Sequence, residues 1–260
     1  MRALVVSDIH ANLAAFEAVL GDPGSGQDRV ICLGDLVGYG PDPDGCVALA
    51  LESCDVLVAG NHDLAASGRM DLSAFSSHAR RAMEWTMDHL SSASREALKK
   101  LPSTTIHEGL LISHGSPADP VWGYILSLED AMEAFSSCVD TICFFGHTHI
   151  PSAFTAPSGY PAPKRSFFPT WGSGSQSQSR IGIRYGQGGE AMTLSKGRFL
   201  LNPGSVGFPR DAEDAHSSDT ESHACARYAL YDSETRIWEF RRVEYDLRDT
   251  ARRMRKEGLW

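Results

Sequence analysis

The sequence predicts an α/β protein, and three observations carry that reading. Short apolar runs alternate with helical patterns through residues 3–59, and each run is followed by a short polar loop. From Pro151 onward, strand-like pieces follow one another with no helical pattern between them. Alternation of the first kind implies parallel strands joined by crossover helices. The later stretch predicts a second, mostly antiparallel sheet.

The elements follow in chain order. Residues 3–7 are short, apolar and β-branched, as a strand buried on both faces should be. Asn12 is placed to cap a helix over 13–20, in which Leu13, Phe16 and Leu20 share one face. A second strand over 29–33 runs into Gly34-Asp35, and a helix over 43–53 leads to a third strand over 55–59 that runs into Gly60-Asn61-His62-Asp63. Helices are expected over 76–90 and 94–101. The runs 104–107 and 110–114, around Glu108-Gly109, have the spacing of a hairpin. A helix over 127–135 precedes a strand over 141–145 that delivers Gly146-His147-Thr148-His149. Later strands are expected over 152–155, 180–185, 198–201, 227–232 and 236–243. Between them, residues 172–179 (GSGSQSQS) predict a flexible loop and residues 211–223, acidic and Ser-rich, predict disorder. Residues 247–256 predict a helix with a solvated basic face.

Composition narrows the function. Hydrophobic residues make up 42% of the 260, enough for a sizeable core. The formal charge of −9 argues against a broad nucleic-acid surface but leaves room for a small anionic substrate, because bound metal can supply local positive charge. Six cysteines show no C-x-x-C pairing and predict buried, reduced thiols, which suits the cytoplasm. The N-terminal apolar run is too short for a signal-peptide core, and no stretch has the length of a membrane span.

Seven side chains of metal-ligand type fall in a fixed order: Asp8, His10, Asp35, Asn61, His114, His147 and His149. They span residues 8 to 149 and must converge to act together, so one domain over 1–260 is expected. Carboxylate, imidazole and one amide oxygen suit two adjacent divalent cations of borderline softness, the kind that phosphoryl transfer uses. Singly, each is weak, since Asp favours turns and a lone His is usually structural. His78, His89, His107, His216 and His223 keep that ordinary reading.

Together, Asp8-x-His10, Gly34-Asp35, Gly60-Asn61-His62-Asp63, Ser113-His114-Gly115 and Gly146-His147-Thr148-His149 form the ordered signature of the calcineurin-like metallophosphoesterase superfamily, which the chain resembles from Met1 to about Ser205. Asn202-Pro203-Gly204-Ser205-Val206-Gly207 and the run 34–41 are similar to its small bacterial and archaeal, phosphodiesterase-like branch. The resemblance implies an α/β/β/α sandwich of two mixed sheets flanked by helices. It implies that Asp8, His10 and His149 hold one metal, that Asn61, His114 and His147 hold the other, and that Asp35 bridges them. A hydroxide between the metals would attack phosphorus, with Asn61 stabilising the phosphoryl oxygens and His62 as general acid. Manganese is the expected metal, with iron or zinc as alternatives.

Departures from that pattern are informative. The Asp-Arg pair that phosphoprotein phosphatases carry after the bridging Asp is replaced by Gly38 and Tyr39, and Ala11 stands where Gly is common, a change that matters only if the backbone there needs positive φ. The favoured substrate is a small phosphodiester such as a cyclic nucleotide. A phosphomonoester, a phosphoprotein, or a non-catalytic interaction role on the same fold are the alternatives. Asn12, Tyr39 and Arg210 are the candidates for substrate contact, and Phe167, Phe168 and Trp171 predict a hairpin packed on the second sheet, with a mobile cover over the site as the alternative.

Overall fold

Strand β1 (Arg2–Val6) is buried on both faces, which is why its sequence is an unbroken apolar run rather than an alternating one. Side chains alternate across it. Leu4 and Val6 pack with Phe16, Val47 and Met83, whereas Ala3 and Val5 pack with Ile31, Phe144 and Trp238. That division sets the layers. This computed structural model describes residues 1–139, 141–158, 160, 181–209 and 223–259.

Along the chain, α1 (Leu13–Leu20), β2 (Arg29–Cys32), α2 (Pro43–Ser53) and β3 (Val56–Leu57) complete the expected alternation. Then come α3 (Asn61–Ala66), α4 (Ser77–His89), α5 (Ser92–Lys99) and the hairpin of β4 (Thr104–His107) with β5 (Leu110–Ser113). After α6 (Leu128–Ser137) and β6 (Ile142–Phe144) follow β7 (Ser152–Ala156), β8 (Gly182–Tyr185), β9 (Ala191–Thr193) and β10 (Arg198–Asn202). The chain closes with β11 (His223–Asp232), β12 (Ile237–Asp246) and α7 (Arg248–Lys256). Helix α3 was not expected. It begins directly at Asn61, in a segment that reads as loop by composition.

Two six-stranded mixed sheets result, ordered β3-β2-β1-β11-β12-β9 and β4-β5-β6-β10-β7-β8. In the first, β1 and β2 pair in parallel and β11 joins β1 antiparallel; in the second, β5, β6 and β10 run parallel. This corrects the expectation of a separate antiparallel sheet after Pro151. The late strands are shared out between both sheets, because β1 and β6 are central strands that each need a partner on both edges. Between the sheets lies one apolar layer, under α1 and α2 a second, and under α6 a third that includes Phe135, Phe145 and Phe154. The arrangement is the α/β/β/α sandwich.

Asn12 caps α1 through Oδ1, which accepts from the N–H of Ala15 at 3.3 Å. Helix α7 keeps its basic face in solvent, buries Ala251 and Met254, and is tied by the Arg253 guanidinium to Asp42 ahead of α2. All six cysteines are free. Among the described residues no helix is long and apolar enough to cross a membrane. The segment 172–179, most of 211–223, and Phe167, Phe168, Trp171 and Arg210 lie outside the described residues; His223 is the first residue of β11, not part of a disordered stretch.

Trp238 fills the layer between the sheets against Phe144 and Phe240 and has no exposed surface. Trp238→Ala is expected to cost about 3–5 kcal/mol, read as a lower urea midpoint. A loss below ~1 kcal/mol would show that the sheets close over the vacated space.

Candidate metal centre

The loops that follow β1, β2, β5, β6 and β10 meet at one edge of the sandwich, laced by their backbones. The N–H of Asp8 donates to Gly34 O, His10 to Asp35 O, and Ala11 to Leu36 O, at 2.8–3.0 Å. Gly146 donates to His114 O, and Val206 and Gly207 donate to Ser7 O and Asp8 O. Parallel strands put their carboxyl ends on one side, so residues distant in sequence are neighbours here.

These loops carry unusual backbone. Nine described non-glycine residues have positive φ, and seven of them are Asp8, His10, Ala11, Asp35, Tyr39, His147 and His149. The left-handed region costs an L-residue about 1–2 kcal/mol, and such outliers gather where side-chain placement overrides local comfort. The position of Ala11 does require positive φ, +52°, so alanine there is strained. In residues 147–149 the effect is plain: φ of +64° and +63° turns both imidazoles toward the centre.

The side chains converge in three overlapping groups, Asp8–His10–His149, His10–Asp35–His62 and Asp35–His114–His147, each with its donor atoms within 4.8 Å of one another. All are buried. His149 Nε2 lies 3.3 Å from Asp8 Oδ1 and 3.1 Å from His10 Nε2. Asp35 Oδ2 stands between the groups, 3.3 Å from His114 Nε2, 3.8 Å from His10 Nε2 and 4.0 Å from His62 Nε2. Asn61 Oδ1 is buried with no hydrogen-bond partner among the described residues, as are Asp8 Oδ1 and His147 Nε2.

These donors fit two cations. Nδ1 of His10, His114 and His149 faces the carbonyl oxygens of Val37, Leu33 and Phe208 at 3.2, 2.9 and 2.5 Å. Each carbonyl can only accept, so each Nδ1 carries the proton and each Nε2 presents a lone pair inward. His147 is turned the other way, with Nδ1 3.1 Å from His114 Nε2. Inward lone pairs at such separations repel unless a cation or a proton stands among them. The titration of the bare cluster shows the same demand. Burial pulls His114 down, but the Asp35 and Asp8 carboxylates outweigh it and raise its pKa to about 9. Burial raises Asp35 and Asp8, yet neighbouring imidazoles carry both below the usual carboxylate range.

Residues 1–221 match the family described as the calcineurin-like phosphoesterase superfamily domain. The chain belongs to that superfamily. It is 30% identical over 262 residues to the uncharacterized protein MJ0912 of Methanocaldococcus jannaschii, covering 98% of this chain and 92% of that protein. It is similar to a metallophosphoesterase of known structure from Sphaerobacter thermophilus, with 35% identity and a TM-score of 0.79, covering 100% of this chain and 95% of the other. The hypothetical protein PH1004 of Pyrococcus horikoshii shares the fold at 20% identity and a TM-score of 0.68, over 100% of this chain and 94% of that one. As a member of the superfamily, the protein is a metal-dependent phosphoric ester hydrolase.

Within this phosphoesterase, several positioning residues had little or no signal of their own in the sequence. Asp63 accepts four backbone N–H groups, from Asp35, Gly60, Leu36 and Val37, and so folds the loop after β2 onto α3. Burial and the Asp35 charge raise its pKa to about 7, opposed by those donors. Asn202 is fully buried; its amide donates to Gly146 O and Thr148 Oγ1, which sets the His147–His149 loop. The sequence marks both only as parts of motifs. Asn12 uses Nδ2 on Tyr245 Oη and Gly207 O, so its polar atoms serve the scaffold. Tyr39 does reach the centre, with its ring 4.8 Å from His10 and 4.9 Å from His62.

His62 sits where its backbone N–H donates to Asp35 Oδ1 at 2.9 Å. Among the described residues its Nδ1 meets no carboxylate but the thioether of Met83, at 3.0 Å, a contact without a sequence signal. Burial lowers the pKa of the ring to about 4, with Asp35 opposing. Gly38, where the resemblance leads one to expect Asp, has φ +91°, and a Cβ there would stand 2.2 Å from His62 Nδ1. Gly38→Ala is therefore expected to displace His62 and lower turnover by roughly tenfold or more, while metal content by elemental analysis stays at the wild-type value. Full turnover in that variant would mean that the ring's position is not needed.

Proposed function

We propose that this protein hydrolyses a small phosphodiester, such as a cyclic nucleotide, at a centre of two divalent cations. The observation that carries the reading is the pair of donor groups, Asp8–His10–His149 and Asp35–His114–His147, joined at Asp35 with His62 beside it. Manganese is the metal we favour, with iron or zinc as cellular alternatives. Residues 1–260 act as one domain, and the six free thiols support a cytoplasmic setting.

The chain's own residues divide the work. Asp8, His10 and His149 would hold one cation, Asn61, His114 and His147 the other, and the Asp35 carboxylate would offset the repulsion between them. When bound, these ions supply an acidified water and positive charge at the phosphoryl oxygens. The Nδ1–H contacts to Val37, Leu33 and Phe208 fix each imidazole so that no reorientation is needed during reaction. The Asn61 amide stabilises charge growing on a phosphoryl oxygen. His62 hands a proton to the leaving oxygen. Because burial and the absent carboxylate make proton uptake costly, the anionic phosphate beside Nε2 is what offsets that cost.

Two variants test the reading. Asp35→Asn should lose bound manganese and nearly all hydrolysis, measured as metal per chain and turnover of a panel of mono- and diesters; a metal-replete, active variant would remove the bridging role. His62→Ala should slow alkyl phosphodiesters by about 10²–10⁴-fold and nitrophenyl diesters far less, since nitrophenolate leaves without a proton. Equal losses would argue against proton donation.

A further inference from the structure

The ring around the metal centre is aromatic. Tyr39 stacks on Phe208 at 4.9 Å and touches His10 and His62; Phe75 meets His62 edge-on at 5.1 Å and Trp122 at 5.0 Å. Trp122 meets His147 edge-on at 6.1 Å, and Tyr124 stacks on the same imidazole at 4.1 Å with rings 29° from parallel. Among the described residues, no Lys or Arg is hydrogen-bonded or ion-paired to the seven candidate ligands or to His62; their charged partners are one another. Exposure varies around this ring: Tyr39 and Phe75 are each 7% exposed and His147 4%, Trp122 and Phe208 are half-buried, and Tyr124 is 44% exposed.

Tyr124 is also held in place from behind. The turn that carries it closes through Gly115 N–H to Pro120 O and Ser116 N–H to Gly123 O, at 2.7 and 2.8 Å. The Asp119 carboxylate accepts from the N–H groups of Val121 and Trp122, and Ile125 just beyond is buried. A rigid, half-open aromatic face beside a metal ligand loses little entropy when a flat group lies on it. Donors that meet no cationic side chain among the described residues suit a singly charged diester better than a doubly charged monoester, and stacking then supplies binding that charge does not.

We propose that Tyr124, flanked by Trp122, is the platform for a nucleobase on the substrate, so that the diester is a nucleotide ester and Tyr124 is a specificity-determining residue. This deepens the phosphodiesterase reading and rests on it. Stacking of one base on one aromatic ring corresponds to a gain of between about fivefold and a hundredfold.

The test compares thymidine 5′-p-nitrophenyl phosphate with methyl p-nitrophenyl phosphate, which share a leaving group and differ in the substituent retained. For the manganese-loaded wild type, kcat/KM should favour the thymidine ester by about tenfold or more, chiefly through KM. Tyr124→Ala should bring the ratio close to one, and Tyr124→Phe should keep it. The ratio is the readout, because general disturbance of His147 slows both esters together and leaves it unchanged. Calorimetry gives a second readout: thymidine 5′-monophosphate should bind more tightly than methyl phosphate, and Tyr124→Ala should abolish that difference. A wild-type ratio near one, or a ratio that survives Tyr124→Ala, overturns the platform while leaving phosphodiester hydrolysis standing. Failure to cleave either diester alongside brisk cleavage of p-nitrophenyl phosphate overturns the phosphodiesterase reading and the platform with it.

Discussion

Carboxylates and imidazoles whose charged partners, among the described residues, are one another, packed out of water, are the constraint to which the rest of the structure answers. Asp8, Asp35 and five histidines stand within a few bond lengths of each other, most with lone pairs turned inward by backbone carbonyls behind them. Left bare, such a cluster draws protons, as His114 shows. With two cations among the donors, the same geometry becomes favourable, since each unsatisfied oxygen and nitrogen gains a ligand bond.

Holding these groups together costs backbone energy, and the fold supplies the means. Five of the seven candidate ligands sit at positive φ. Lacing between loops keeps them there: Asp63 gathers four N–H groups, Asn202 pins the turn before His147, and the Ser205 hydroxyl donates to Asp8 O. None of these residues is a candidate ligand, yet each limits where a ligand can go. The three apolar layers make the edge of the sandwich stiff enough to bear this strain.

Around that core, Gly38 and Tyr39 stand where the resemblance to phosphoprotein phosphatases leads one to expect a carboxylate and a guanidinium. The space this leaves is filled by the His62 ring against Met83 and by an aromatic wall.

The sequence by itself determined the strand–helix alternation, the Asn12 cap and the β4–β5 hairpin, because these follow from local periodicity, turn chemistry and spacing along one stretch of chain, and it displayed the seven candidate ligands in order. Tertiary structure alone decided how the strands after Pro151 divide between the sheets, since pairing depends on which edges remain open. It also decided the left-handed backbone at Asp8, Asp35 and His149, the folding of the loop onto Asp63, and the meeting of His62 with Met83. Residues 21 positions apart in sequence, as His62 and Met83 are, carry no local mark of their contact. Only the closing of the sandwich edge brings their atoms within reach.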